Sequence, residues 1–388
     1  MIPFIATDST FMVQKKPLMT LPLDLEPMEA RLVARLPQEP GWQFEPKWDG
    51  FRCLAFRSGP DVDLKAKSGK SLSRYFPEML DRLRSLAPQH FVLDGELVVP
   101  VGSIVSFDAL QMRLHPAPSR IRKLAGETPA MLILFDCLMG ANARPMLACP
   151  FIERRAALEQ FFASLADSSG LRLTPYTRSP REAQRWLDRA GGSLDGVVAK
   201  RLDGTYQPGE RAMLKVKLLR TADCVVGGFR YGTDSDEVAS LLLGLYNQSG
   251  LLDHVGFTSS IAKSQRKALT KRLEKLSKPP GFTGKAPGGP SRWSTERSTQ
   301  WQPLRPELVV EVCYDHVTGE RFRHGTKLLR WRPDKAARQC TYEQLQLEAR
   351  PAKLIKEVLD SDLGRRNSAS SPARKRKGST GDHPRKSQ

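Results

Sequence analysis

Cysteine is scarce in this chain of 388 residues, and its spacing serves no recognisable purpose. The six cysteines, Cys53, Cys137, Cys149, Cys224, Cys313 and Cys340, form no Cys-x-x-Cys pair. That excludes zinc-ribbon spacing and a disulfide framework and leaves reduced packing residues. The six histidines are equally dispersed, with no His-x-x-x-His pair, so a metal ion is expected on carboxylate oxygens, which suits magnesium better than zinc. No apolar run approaches bilayer length, and the N-terminus has no basic segment leading into an apolar stretch with a small-residue cleavage site. A cytoplasmic protein with no membrane partner is expected.

Acid is also in short supply. Against 61 Lys and Arg there are 42 Asp and Glu, for a formal net charge of +19. The stretch from Ser361 to Gln388 carries eight Lys or Arg and two Asp, so +13 remains for the rest of the chain. A basic working surface is expected, with a polyanion, by default nucleic acid, as partner. Hydrophobic residues at 40% and charged residues at 27% are those of a globular chain, and the length suits two domains with tails.

Residues 1–22 show no periodicity and are expected to be a lead-in. Short apolar runs then recur at Phe51 to Phe56, Phe91 to Val99, Met131 to Leu138, Gly196 to Lys200 and Met213 to Leu218, each of strand length between turn residues. Helices are expected from Ile152 to Ala166 and from Ser179, where Ser179-Pro180-Arg181-Glu182 supplies a capping hydroxyl, a first-turn proline and a Glu placed to cap in return. Strands and helices do not alternate strictly, so residues 23–222 read as an antiparallel α+β domain.

Four further strands, Cys224 to Arg230, Ala239 to Tyr246, Leu251 to Phe257 and Leu308 to Tyr314, and a lysine-rich helix from Ile261 to Leu276 suggest a small barrel of the oligonucleotide-binding type over residues 223–350. A generic small sheet domain fits the count nearly as well. Pro279 to Pro290 reads as a loop, and residues 351–388 as a helix followed by a basic disordered tail.

Five segments set charged groups among strand-length apolar runs. In Glu45-Pro46-Lys47-Trp48-Asp49-Gly50-Phe51-Arg52 a lysine stands one residue from an Asp-Gly turn; a Lys-x-Asp-Gly string arises by chance in about one chain in ten of this length, so alone it reads as a solvated turn. In Asp94-Gly95-Glu96 a carboxylate enters a buried strand and needs a cation or a ligand. Leu134-Phe135-Asp136 reads by itself as core packing with an acid. Asp195 opens the apolar run to Lys200, and Lys215 and Lys217 share one face of a strand, as an edge defence or an anion site.

Taken in order, these segments supply what nucleotidyl transfer requires. A lysine attacks an α-phosphorus as a neutral amine, so neighbouring cations such as Lys215 and Lys217 are expected to lower its pKa. Carboxylates would hold magnesium or ribose, and an aromatic would stack on the base.

The series Lys47 to Arg52, Asp94 to Glu96, Phe135, Asp195 to Lys200 and Lys215 to Lys217 resembles the motifs of the covalent nucleotidyltransferases, and Arg330-Trp331-Arg332-Pro333-Asp334-Lys335 resembles the final motif of their ligase branch. Gly41 to Arg52, Ser106 to Gln111, Val198 to Asp223 and Arg305 to Lys335 look closest to bacterial ATP-dependent DNA ligases of the C type and to the ligase domain of the D type. The resemblance implies an adenylation domain followed by an oligonucleotide-binding (OB) domain.

It further implies Lys47 as the adenylated nucleophile, with Lys215 and Lys217 on the α-phosphate. Glu45 would lie by adenine, Arg52 and Glu96 by the ribose, and Phe135 on the base. Asp195 and Glu96 would take the metal. Arg332 and Lys335 would reach the β- and γ-phosphates when the second domain closes. Lys67 stands where the family has Arg and would meet a 5′ phosphate as a point charge. Asp195 stands where most of the superfamily has Glu. ATP and Mg²⁺, with Mn²⁺ as a substitute, are the implied cofactors. The implied partners are nicked or broken duplex DNA and a Ku-type end-binding protein, with the chain itself a nucleoid-associated monomer. An RNA ligase, a capping-type enzyme and an inactive DNA-end binder are the other readings.

Overall fold

The computed structural model describes residues 21–102, 104–189, 194–288 and 300–346. The expected lead-in, for all but its last two residues, and the C-terminal helix and tail lie outside the described residues.

Two sheets build the first part of the chain. One has the order β1 (Ala30–Leu32), β11 (Met213–Lys217), β10 (Leu194–Arg201), β2 (Trp42–Trp48). The other runs β4 (Asp61–Ala66), β3 (Phe51–Ser58), β5 (His90–Val98), β8 (Met131–Met139), β9 (Leu171–Leu173). A small hairpin, β6 (Pro100–Val101) and β7 (Ile104–Val105), follows β5. Pairing is antiparallel, as expected, except for β1 with β11 and β8 with β9. Both exceptions are three-residue strands reached by long connections, which parallel pairing requires.

Apolar faces explain the layering. Leu54, Phe56, Val92, Met139 and Met213 pack with one another between the two sheets. The far face of the second sheet is covered by α1 (Pro77–Arg84) and α4 (Phe151–Ala163) through Met79, Leu83, Leu158 and Phe161. α5 (Pro180–Arg189) lays Ala183 and Leu187 on Phe44 and Val197 of the first sheet. Ser179 accepts the Glu182 amide, but Glu182 accepts the Thr177 hydroxyl instead of capping Ser179 in return. Buried Asp136 is clamped by two hydrogen bonds from Arg154 of α4, so that acid is structural.

Lys47 lies on a strand that periodicity does not reveal. β2 carries Glu45, Pro46 and Lys47 among its seven residues, and proline is tolerated because β2 is an edge strand. Asp49 and Gly50 then form the corner where the chain leaves the first sheet and enters the second. A Cβ on Gly50 would overlap the Leu97 carbonyl oxygen, so no other residue allows the two sheets to approach so closely here.

A separate core begins at Ala222 and runs through Val225, Leu243, Val255, Val310 and Val312. Its sheet has the order β14 (Leu252–Thr258), β13 (Val238–Tyr246), β12 (Arg220–Tyr231), β16 (Val309–Tyr314), β19 (Lys327–Trp331), with β15 (Gln302–Pro303) also on β12. A bridge between Thr258 and Thr326 joins β14 to the start of β19, so the sheet closes on itself as a small barrel. α6 (Lys263–Glu274) packs Leu273 into this core, and its exposed positions include Lys263, Lys267 and Lys271. The short hairpin β17 (Val317–Thr318) and β18 (Arg321–Phe322) projects from it.

Candidate active site

A cavity of about 800 Å³ opens between the two sheets beside Lys47. Glu45, Arg52, Glu96, Phe135, Lys67 and Lys215, six of the residues singled out from sequence, line it together with Lys47. Cross-strand pairing explains the grouping: Lys47 faces Gly196, Glu45 faces Val198, and Val198 faces Lys215.

Lys47 is ion-paired to Asp195, whose other oxygen accepts a hydrogen bond from the His316 ring at 2.8 Å. Burial alone would lower the Lys47 pKa, yet Asp195, Glu96 and Asp49 outweigh it and hold the ammonium above its ordinary value. This corrects the expectation that Lys215 and Lys217 lower it. The lysines do act on each other, because burial, Lys47 and Lys217 depress Lys215, but Lys217 is drawn away to Asp315 at 3.0 Å. Burial would raise Asp195, while His316 and Lys47 hold it far below the usual carboxylate range.

Glu96 takes no direct hydrogen bond or ion pair among the described residues, and burial pushes its carboxyl up to about 7 against the pull of Lys47 and Arg52. A raised carboxyl destabilises the fold where it must ionise, so that contribution is absent below about pH 4 and grows as pH rises through 7. Glu96→Gln is therefore expected to be stabilised relative to the parent by about 1 to 2 kcal/mol at pH 8 and by nothing at pH 4. Denaturant midpoints at the two pH values measure it; a constant difference would disprove the shift.

Arg52 is anchored in the cavity wall. It donates to both oxygens of Asp94, at 2.5 and 2.6 Å, and its guanidinium lies 4.6 Å from the Phe135 ring centroid. The Lys200 ammonium lies 4.6 Å from the same ring. Lys67 is exposed and paired with Glu29 at 2.8 Å. Arg332 and Lys335 are outside the cavity lining, where both donate to buried Asp223 of β12, at 2.8 and 2.7 Å.

Sequence reasoning missed the hairpin of the second core. Asp315 and His316 precede it, Arg323 follows it, and all three reach the first core. Arg323 grips Asp49 with two hydrogen bonds of 2.7 and 2.6 Å and lies 3.7 Å from the Phe107 ring centroid. Asp315 also accepts His324 at 2.9 Å. The signal lay within Arg305 to Lys335, whose resemblance was visible before its individual roles were.

No three His, Cys, Asp or Glu groups gather as a ready metal cage among the described residues. Two carboxylates, Asp195 and Glu96, do act electrostatically on Lys47, and hard oxygens of that kind fit magnesium when phosphates and water complete the shell. Nor is any helix among the described residues long and apolar enough to cross a membrane.

Known proteins match at both parts of the chain. Residues 27–217 match the model of the ATP dependent DNA ligase domain, and residues 234–335 that of the ATP dependent DNA ligase C terminal region. DNA ligase C1 of Mycolicibacterium smegmatis is 45% identical over 340 residues, which cover 84% of this chain and 96% of that protein. The multifunctional non-homologous end joining protein LigD of the same organism is 30% identical over 78% of this chain and 37% of its own length. Among solved structures, Pmar-Lig_PreS3 superposes with a TM-score of 0.51 at 17% identity, covering 79% of this chain and 68% of that one, a likeness of fold. With an adenylation domain, a C-terminal barrel and both family models matched in order, this chain belongs to the ATP-dependent DNA ligases.

Proposed function

We propose that this DNA ligase seals 5′-phosphate/3′-hydroxyl breaks in duplex DNA through an AMP carried on Lys47, in repair or end joining. The observation that supports this most is the placement of Lys47 at the mouth of the cavity, between two carboxylates and the Lys215 and Lys217 strand.

In the first step the Lys47 amine attacks the α-phosphorus of ATP, forming the N–P bond as pyrophosphate leaves. Before that the ammonium must give up its proton to solvent, so Asp195 has to release its hold. Asp195 and Glu96 would hold magnesium, which supplies charge neutralisation at the phosphates when bound. Lys215 and Lys217 stabilise negative charge on the phosphoryl oxygens. Glu45 and Phe135 bind the base, and Arg52, fixed by Asp94, supports the Phe135 ring. Arg332 and Lys335 serve the leaving pyrophosphate after the second domain turns.

In the second step AMP passes to the 5′ phosphate, with Lys67 as a screening charge. In the third the 3′ hydroxyl displaces AMP. Residues 23–222 would be the adenylation domain and 223–350 the OB domain. A monomer that meets a Ku-type protein at broken ends, in the cytoplasm at the nucleoid, is the setting this reading implies. The exposed lysines of α6 add an electrostatic surface for the duplex backbone.

Incubation with a singly nicked duplex, ATP and magnesium should yield the sealed strand and AMP. A failure to seal nicked, gapped and blunt DNA alike would overturn the reading.

A further inference from the structure

Three cations act on one carboxylate at the mouth of the cavity. Glu29 pairs with Lys67 through Oε1 at 2.8 Å and more loosely with Arg211 through Oε2 at 3.8 Å. Glu29, Lys67 and Lys215 all line the cavity. The backbone fixes the meeting. Glu29 immediately precedes β1; its amide donates to the Glu210 carbonyl at 2.8 Å and its carbonyl accepts the Met213 amide at 3.1 Å, which sets it beside Arg211 at the entrance to β11. Lys67 reaches it from the turn that follows β4. The Lys67 hydrogen bond first, then the charges of Lys67, Arg211 and Lys215, hold the Glu29 carboxyl below its ordinary value against the opposing effect of burial, so it is ionised. Lys67 also adds to the depression of Lys215 by burial, Lys47 and Lys217, so the group adjoins the lysine proposed for the α-phosphate.

We propose that Glu29 is a gate: a carboxylate of the chain itself that occupies the seat of the 5′ phosphate on Lys67 and Arg211, and that the end of a broken strand must displace. This rests on the placement of Lys67 at the 5′ phosphate in the reading above, and it adds Arg211 to that seat. In the second step a 5′ phosphate oxygen attacks the phosphorus of the Lys47-bound AMP and releases the lysine amine. The two phosphates must then lie side by side, and a cationic seat next to Lys215 meets that need. Displacement is easy because ion pairs this open to water are weak; the Lys67 side chain is 59% exposed and that of Arg211 73%. A terminal phosphate carries a charge of about −2 and three acceptor oxygens, so it takes the two cations from a carboxylate. A 5′ hydroxyl has no charge to offer and leaves Glu29 in place. Phosphate binding is thereby an exchange of one anion for another on cations that are neutralised until a break arrives.

The test is the affinity of the full chain, in EDTA to prevent any transfer, for two nicked duplexes that differ only in carrying a 5′ phosphate or a 5′ hydroxyl. Glu29→Gln keeps the size and both backbone bonds and removes the charge. It is expected to tighten the phosphate nick about fivefold at low salt and the hydroxyl nick by less than about twofold. Glu29→Asp, which keeps the charge, should stay near the parent. Arg211→Met should weaken the phosphate nick about threefold and spare the hydroxyl nick.

A carboxylate that merely staples β1 to the turn after β4 would, on removal, move both nicks alike, so an equal shift on the two, or none, overturns the gate. A gain in Glu29→Asp as large as that in Glu29→Gln would trace the effect to packing and overturn it too. Lys67→Met separates the gate from the reading beneath it. A parental preference there overturns the placement of Lys67 at the phosphate, and the gate with it; a lost preference there with no gain in Glu29→Gln overturns the gate alone.

Discussion

Lys47→Ala is expected to lose covalent labelling by α-labelled ATP altogether, a drop of at least about 10⁴-fold, because no second amine is placed to replace it. Lys215 is two strands away, and Lys217 is drawn to Asp315. The label on the parent should survive alkali and fail in acid, as a phosphoramidate does. The same variant should still join a nick whose 5′ phosphate already carries AMP, since the third step does not need the lysine as nucleophile. Labelling of Lys47→Ala at the parental level would mean that another residue is adenylated.

The charge on Lys47 adds a pH signature. Its pKa is held above the ordinary lysine value, by Asp195 foremost among the groups that oppose burial. The neutral fraction therefore rises about tenfold for each pH unit below that value. Single-turnover adenylation should climb with a slope near one across neutral and mildly alkaline pH, and Asp195→Asn should move the curve to lower pH.

Arg323→Ala carries the second large expected effect, roughly a hundredfold loss of nick sealing while labelling of Lys47 stays within about threefold. The reason lies in which groups are occupied together. While Arg323 grips Asp49, Arg332 and Lys335 are held by Asp223 and not at the cavity. On the proposed sequence of steps, the hairpin-docked arrangement is the one expected to suit the steps on DNA and not the attack on ATP. Removing one partner of a well-covered ion pair leaves the other, here Asp49 beside the nucleophile, without compensation. Arg323→Lys should recover only part of the loss, because an ammonium cannot make the two-pronged contact or lie flat over Phe107. Equal losses in labelling and sealing would show that the hairpin serves the whole cycle.

Much of the candidate site was legible because its residues lie in short linear segments on strands. Lys47, Glu96, Phe135, Asp195 and Lys215 each sit where an apolar run meets a charge, and the sheets bring those places together. β2 was not legible as a strand, since Glu, Pro and Lys break its apolar alternation and only its edge position permits them. The sign of the Lys47 shift was also out of reach. Sequence displayed the nearby lysines as neighbours, whereas distance decides, and Asp195 is the group in contact. Asp315, His316 and Arg323 were hidden for another reason: their partners are more than 90 residues away, and polar hairpin ends have no periodicity to betray them.

The corner at Asp49 and Gly50 has a genetic consequence. Lys47 belongs to one sheet and Arg52 to the other, so their spacing is set by the apolar layer of Leu54, Val92, Met139 and Met213. Conditional alleles should therefore map to that layer: strains that join DNA at low temperature and fail on warming, with every charged motif intact.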